Sequence, residues 1–284
     1  MLTYSDILLT VDYDRTLTAP DATIPERNLQ AIREFIALGG SFTVNTGRSV
    51  PMFRQQMERI PVNAPFLLYN GSGAFDLAEG ALSLTMPIDL DLWKTLEEIK
   101  CRFPEIHLEI QALDGHYSYG FDAEWNWFYE GLSCPHAQAT KAAGLEPFIK
   151  LSMFGKIREK GVPQLFSAEP EEMARFDEAE AWLNARFGDK MEIFRSGARI
   201  IDMHAKGASK SNAARALQRR LGKKILVCVG DAENDISMLD GADYAYCPSD
   251  GVLADRYENV CCCADGAVAD VIYEKIPEIL KKHS

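Results

Sequence analysis

The chain has 284 residues and a formal charge of −12, from 30 basic and 42 acidic side chains. That balance argues against a general nucleic-acid binder, which carries a basic face, although a local field can still attract a phosphorylated small molecule. No long uncharged apolar run is present, so no membrane span is expected, and 47% hydrophobic residues suffice for one large or two modest cored domains.

The first six residues lack a basic region followed by an apolar signal core, which predicts a cytoplasmic protein. The apolar run 7–11 reads as a buried strand and stops at Asp12-Tyr13-Asp14-Arg15-Thr16-Leu17. Pro25 suits a first helical turn, Leu29, Ile32 and Ile36 share one helical face, and Gly39-Gly40 ends that helix. Residues 41–44 read as a second strand and 50–60 as a helix. Residues 65–69 read as a third strand running into the turn pair Asn70-Gly71. Strands alternating with helices imply a parallel sheet with helices on both faces.

From about residue 83 to 191 the rhythm changes. Leu90, Leu92, Trp93, Leu96 and Ile99 predict a helix, and 107–111 alternates like a half-exposed strand with 116–121 as its partner. Residues 148–154 predict a further strand. Residues 174–187 predict an amphipathic helix with Phe176, Ala179, Leu183 and Phe187 in line. Paired strands and two helices suit a small α+β domain inserted into the first one. After it the parallel rhythm returns: a helix at 209–221, a buried strand at 224–229, and a terminal helix or pair of turns at 266–283, interrupted by Pro277. The seven cysteines are odd in number and irregularly spaced, which predicts reduced thiols. Cys261-Cys262-Cys263 would alternate faces on a strand and has no Cys-x-x-Cys or histidine partner nearby for a metal.

Four polar clusters stand where strands are expected to end: Asp12/Asp14/Thr16, Thr46-Gly47-Arg48, Lys210, and Asp231/Asn234/Asp235. Alone, each has an ordinary reading as a turn, a helix cap or a solvated lysine. Open α/β sheets, however, bind ligands at the carboxyl ends of their strands. Two carboxylates two residues apart at such an end are unfavourable unless a divalent cation or a reacting phosphate compensates them. The first carboxylate could then attack phosphorus and the second could move a proton.

In this order the clusters resemble the four motifs of the haloacid dehalogenase-like phosphohydrolases, and the long insertion between the second and third resembles the Cof-type branch. The match covers residues 7–75 and 200–275, with the Asn70-Gly71 turn included. The resemblance implies an α/β fold: a Rossmann-like parallel core of residues 1–82 and 192–284 and an α+β cap of residues 83–191. It implies Asp12 as nucleophile forming an aspartyl-phosphate, and Asp14 as the acid that protonates the leaving oxygen and then activates water. It implies Mg²⁺ on the Asp12 carboxylate, the Asp14 backbone carbonyl and Asp231, with Asp235 holding that shell from a second layer or through water. Thr46, Gly47, Arg48, Lys210 and Asn234 would bind the substrate, Lys210 also keeping Asp12 ionised. The implied partner is a small phosphorylated metabolite such as a sugar phosphate, with no nucleic acid and no membrane, acted on by a monomer or homodimer.

One departure stands beside the nucleophile: Arg15 occupies the place where the family usually has Gly, and arginine fits there without strain only if φ stays negative. Ser72 replaces the common Ala. Cap candidates for reading the leaving group are His107, His116, Tyr117, Tyr119, Trp125, Trp127 and Arg195. The aromatic segment 125–129 reads first as cap core or a dimer contact, with a sugar-stacking surface as the second reading. Lys206 reads as a solvated lysine, Asp202 and His204 as strand-edge residues, and Asp265 and Asp270 as turn and cap residues. Two other functions stay open: a phosphomutase, and a non-catalytic phospho-ligand-binding protein, against which the intact Asp12 argues.

Overall fold

The computed structural model describes residues 1–120, 129–130, 134–141, 144–145, 147–155 and 168–283. Ile7–Val11 (β1) is buried at every position and sits between two parallel neighbours, Ser41–Val44 (β2) and Ile225–Val229 (β12). Tyr244–Pro248 (β13) and Glu258–Val260 (β14) extend the sheet in the order β14-β13-β12-β1-β2, all pairs parallel. Each fully buried Leu, Ile or Val contributes roughly 1.5–3 kcal/mol. A one-residue slip of β1 would draw Asp12 into this apolar layer, so the end of the apolar run sets the register. Val11 therefore stands level with both Val229 and Val44, and the next residue of each strand begins a polar loop.

The helix Lys210–Arg220 packs Ala213, Ala214 and Leu217 against Leu8, Leu226 and Cys228. Its N-cap Ser209 accepts the Asn212 N–H at 3.0 Å. Phe66–Leu68 (β3) departs from the simple parallel expectation. A single parallel bridge, Asn45 to Leu67, ties it to the end of β2. It then folds back antiparallel as Gly73–Asp76 (β4), followed by Ala81–Thr85 (β5). The turn between β3 and β4 is left-handed at Tyr69, Asn70 and Gly71, with φ of 53°, 51° and 92°. Gly71 is required there twice over, because a Cβ would also collide with the Ser209 carbonyl oxygen.

A second compact unit comprises Thr85–Ala208 together with Arg48–Arg54. Its six-stranded sheet runs β10-β11-β9-β6-β7-β8, from Met191–Gly197 (β10), Ile200–Ala205 (β11), Lys150–Phe154 (β9), His107–Gln111 (β6), His116–Tyr119 (β7) and His136–Gln138 (β8). Two helices, Leu92–Arg102 and Pro170–Phe187, share one core with its apolar face. Leu96, Ile99, Leu183 and Phe187 meet Leu108, Ile110, Leu151, Met153, Ile201 and Met203 there. This is the expected α+β insertion with a later end: the boundary placed at 191/192 moves to 208/209. β10 and β11 look like a return to the core in sequence, but their ladder bonds run antiparallel to β9.

The other face of this sheet is polar and buried. Register places Ser118, Glu109, Ser152 and Asp202 in one row across four strands, and His116, Gln111, Lys150 and His204 in the next. All eight are buried, so β6 is not the half-exposed strand its alternation predicts, and Asp202 and His204 are not edge residues. The ionisable groups are paired instead of solvated. Lys150 lies 2.9 Å from Asp202, and His116 Nδ1 lies 3.1 Å from Glu109. Burial opposes the Glu109 charge, but the adjoining His116 and hydrogen bonds hold its pKa down at about 2. Burial and the neighbouring Lys150 push the His204 imidazole down to about 3, so it is neutral beside that lysine.

Residues 125–128 lie outside the described residues; Tyr129 is buried and stacks on His136, a packing role. Arg195 pairs with Asp177 and Glu180 and donates to two backbone carbonyls, which makes it structural within this unit. Lys206 is half-exposed, donates to the Gly188 carbonyl and pairs with Glu192. All seven cysteines are free thiols. No described helix is long and apolar enough to cross a membrane.

Replacing Gly71 by Ala forces a side chain into left-handed backbone against the Ser209 carbonyl. The expected loss of core stability is about 2–5 kcal/mol, the sum of left-handed strain and local overpacking. Urea unfolding followed by circular dichroism reads it, with Gly80→Ala, a left-handed glycine in open space, as the milder control.

Candidate active site

The level ends of β1, β2 and β12 bring three loops together. Asp12 follows β1 and its N–H donates to the Val229 carbonyl at 2.9 Å, which pins the first residue of one loop to the last of another strand. Asn45 and Thr46 follow β2; Gly230 and Asp231 follow β12. Gly230 carries no side chain because a Cβ there would meet the Asp235 side chain at 2.6 Å.

The carboxylates of Asp12, Asp231 and Asp235 are all buried, and one oxygen of each lies within 4.8 Å of the others. Lys210, the first residue of its helix and 1% exposed, reaches both Asp12 Oδ1 and Asp235 Oδ1 at 2.6 Å. An ammonium at a helix N-terminus is opposed by the helix dipole, so these two carboxylates are what make the position tenable. Asn45 fixes the same turn by donating to the Lys210 carbonyl at 2.9 Å. Asp235 is also the organiser of its own loop: Oδ2 accepts the N–H groups of Asp231 and Ala232 at 3.1 and 3.2 Å. Thr16 Oγ1 donates to Asp231 Oδ1 at 3.0 Å, orienting that carboxylate from across the site.

Three carboxylates face one ammonium, and their protonation reflects the imbalance. Burial first, and then Asp235, raise the Asp12 carboxyl well above the usual carboxylate range, with Lys210 acting the other way. Burial and Asp235 push Asp231 up to about 6, opposed by the Thr16 hydrogen bond, Lys210 and Arg15. Burial alone would lower Lys210, but Asp12 and Asp235 override it and raise it, so the lysine is charged. The donor set is all oxygen and carries surplus negative charge, which suits a hard divalent cation. Asp12, Asp231 and Asp235 could hold one.

The remaining expected residues are distributed as follows. Asp14 is exposed, two residues beyond Asp12, and its carboxylate is not part of the buried triad. Thr46 is buried at the end of β2, its backbone bonded to Leu67 and Asn70. Gly47 lies tight against the Asn70 side chain, where a Cβ would sit 2.8 Å from Oδ1. The division between the two units falls after Gly47, so Arg48 belongs to the second. Asn234 is half-buried in the loop between Asp231 and Asp235. Arg15 has φ +58° and ψ 11°. It therefore adopts the left-handed conformation, so the condition for an unstrained arginine is not met, at a cost of about 1–2 kcal/mol for a residue with a Cβ. Thr16 and Asn45 gain positioning roles that motif spacing alone did not assign; the one signal was Thr16's place in Asp-x-Asp-x-Thr.

A family model described as haloacid dehalogenase-like hydrolase matches residues 9–252. The chain belongs to the haloacid dehalogenase-like hydrolases. As a member it is a hydrolase by family, and its fold carries an inserted α+β unit. A curated Streptococcus pyogenes protein with a provisional phosphatase name is 24% identical over 241 residues, 82% of this chain and 83% of that one. A haloacid dehalogenase-like hydrolase from Bacteroides thetaiotaomicron superposes with a TM-score of 0.75 at 17% identity, covering 95% of this chain and 98% of the other. A subclass IIB sugar phosphatase of the same superfamily gives 0.73 at 19% identity, covering 96% and 99%.

The raised Asp231 makes a testable demand on the metal-free protein. Its folded pKa of about 6 exceeds the ordinary 3.8, so the folded state holds a proton that the unfolded state gives up first. The stability this group contributes is complete below pH about 4 and is lost as pH rises through about 6. The variant Asp231→Asn, which mimics the neutral carboxyl, is expected to gain stability relative to wild type across that window and to hold a constant margin above it. Urea midpoints between pH 4 and 8 with chelator present measure the difference.

Proposed function

We propose that this enzyme is a Mg²⁺-dependent phosphatase of small phosphomonoesters, sugar phosphates being the substrate class, working through an aspartyl-phosphate on Asp12. The observation that carries the reading is the buried Asp12 carboxylate held at 2.6 Å by Lys210 beside Asp231 and Asp235. The sugar phosphatase among its structural relatives supports the substrate class.

Asp12 attacks phosphorus with a carboxylate oxygen, and the bond to the leaving oxygen breaks. Asp14, exposed at the mouth of the loop, gives that oxygen a proton and then takes one from the water that cleaves the aspartyl-phosphate. Lys210 keeps Asp12 fixed and, being charged, favours the ionised form that can attack. Thr46, Gly47, Arg48 and Asn234 bind the phosphate and the rest of the ester. Asp12, the Asp14 carbonyl, Asp231 and Asp235 would hold Mg²⁺, which supplies the positive charge that the surplus of carboxylates lacks.

The decisive assay is inorganic phosphate release from a panel of phosphorylated metabolites with Mg²⁺ and no bisphosphate activator. Turnover is expected with at least one sugar phosphate, and Asp12→Asn is expected to lower it by at least about 10³-fold, since the nucleophile itself is lost. EDTA is expected to abolish it and added Mg²⁺ to restore it. Turnover near the wild-type rate in the variant, or in EDTA, contradicts the mechanism.

A further inference from the structure

We infer that Arg15 is a specificity-determining residue that binds a second anionic group, a carboxylate or a phosphate, on the ester whose first phosphate meets Asp12. This deepens the phosphatase reading above and rests on it.

Arg15 is exposed in the loop that carries Asp12 and Asp14. Its backbone stands in the left-handed region, at φ +58°, where glycine is the favoured residue. The turn is fixed as well as strained: the Arg15 N–H donates to Thr18 Oγ1 at 3.2 Å, and Thr18 Oγ1 donates to the Tyr13 carbonyl at 3.2 Å. The root of the side chain is therefore held in place, three residues from Asp12, with the two α-carbons within about 11 Å of each other.

The head of the side chain is uncommitted. Among the described residues the Arg15 guanidinium makes no hydrogen bond and no ion pair, although the surroundings are acidic. Asp14 is its neighbour, and its charge helps to lower the pKa of both Asp231 and Asp250. A guanidinium amid carboxylates that closes on none of them is available to a ligand.

Lys210 cannot take this part. It is 1% exposed and engaged by Asp12 and Asp235 at once, so it is fixed on the reacting group. Arg15 differs in the properties that a second contact needs. It is open to solvent, permanently charged, and planar, so it can pair with a carboxylate or phosphate through two parallel hydrogen bonds. A neutral sugar phosphate gives it nothing to hold. A sugar bisphosphate or a phosphorylated sugar acid places a second anion a few bonds from the first, on the scale that separates Arg15 from Asp12.

Wild type, Arg15→Gly and Arg15→Lys are compared on matched esters: a hexose monophosphate, the hexose bisphosphate, and the phosphorylated sugar acid. Glycine suits the backbone at this position, so loss of folding does not confound the variant. Arg15→Gly is expected to lower the preference for a doubly anionic ester over the monophosphate, as a ratio of kcat/KM values, at least tenfold, with the change in KM. Arg15→Lys is expected to keep part of it. Whether the bisphosphate or the sugar acid shows the larger ratio identifies the anion. An unchanged ratio, or an equal fall for all three esters, overturns the proposal.

Binding is read separately by calorimetry in the Asp12→Asn background, where turnover is not needed. There too the bisphosphate is expected to lose at least tenfold more affinity than the monophosphate when Arg15 becomes Gly. If no ester is turned over by wild type yet this binding difference appears, the hydrolytic reading fails and the Arg15 site stands. If hydrolysis proceeds and the binding difference is missing, the Arg15 site fails alone.

Discussion

The core unit depends on one ammonium group. Lys210 lies between Asp12 and Asp235, and without it three buried carboxylates would face one another with no protein cation in the described cluster. Removing one partner from such a buried arrangement typically costs about 3–5 kcal/mol, far more than any surface ion pair contributes. Much of the local architecture can be read as support for that lysine. Ser209 caps its helix, Asn45 holds its carbonyl, and Gly71 lets the left-handed turn close against the residue before it. The surplus negative charge that Lys210 leaves uncompensated is what suits the cluster to a divalent cation.

The second unit solves a related problem by other means. One face of its sheet is apolar and shares a core with two helices; the other carries two buried rows of polar and charged side chains. Lys150 with Asp202 keeps charge beside charge, His116 lies against Glu109, and His204 gives up its proton and sits neutral. Ser152 and Ser196 each donate to Asp202 at 2.7 Å, spreading one carboxylate over three strands. A connected network of this kind penalises any slip in register, because a shifted strand would leave a buried charge without its partner.

Much of this was legible from residue order. The apolar runs 7–11, 41–44 and 224–229 marked the three strands whose ends form the site, and the polar clusters after them marked Asp12, Thr46, Asp231 and Asp235. Lys210 was legible by its place in the motif order, and the helices of the inserted unit by their periodicity. At Arg15 the substitution was visible but its left-handed backbone was not, since sequence gives no φ for a non-glycine residue. Thr16 and Asn45 were missed as positioning residues because each acts on a partner more than 160 positions away.

The amino-acid sequence by itself determined where strands begin and end and which residue types stand at their ends, because burial and turn chemistry act locally and leave a period in the chain. Only the tertiary structure decided that β10 and β11 join the inserted sheet, since strand pairing is a choice among distant partners that periodicity does not record. The same holds for β6: alternation reports two unlike faces and cannot say whether the polar one meets water or lies buried among its own kind. It holds for the site as well, where three carboxylates and one ammonium acquire their chemistry from being within a few ångströms of each other in a low-dielectric interior, a property that none of them has alone.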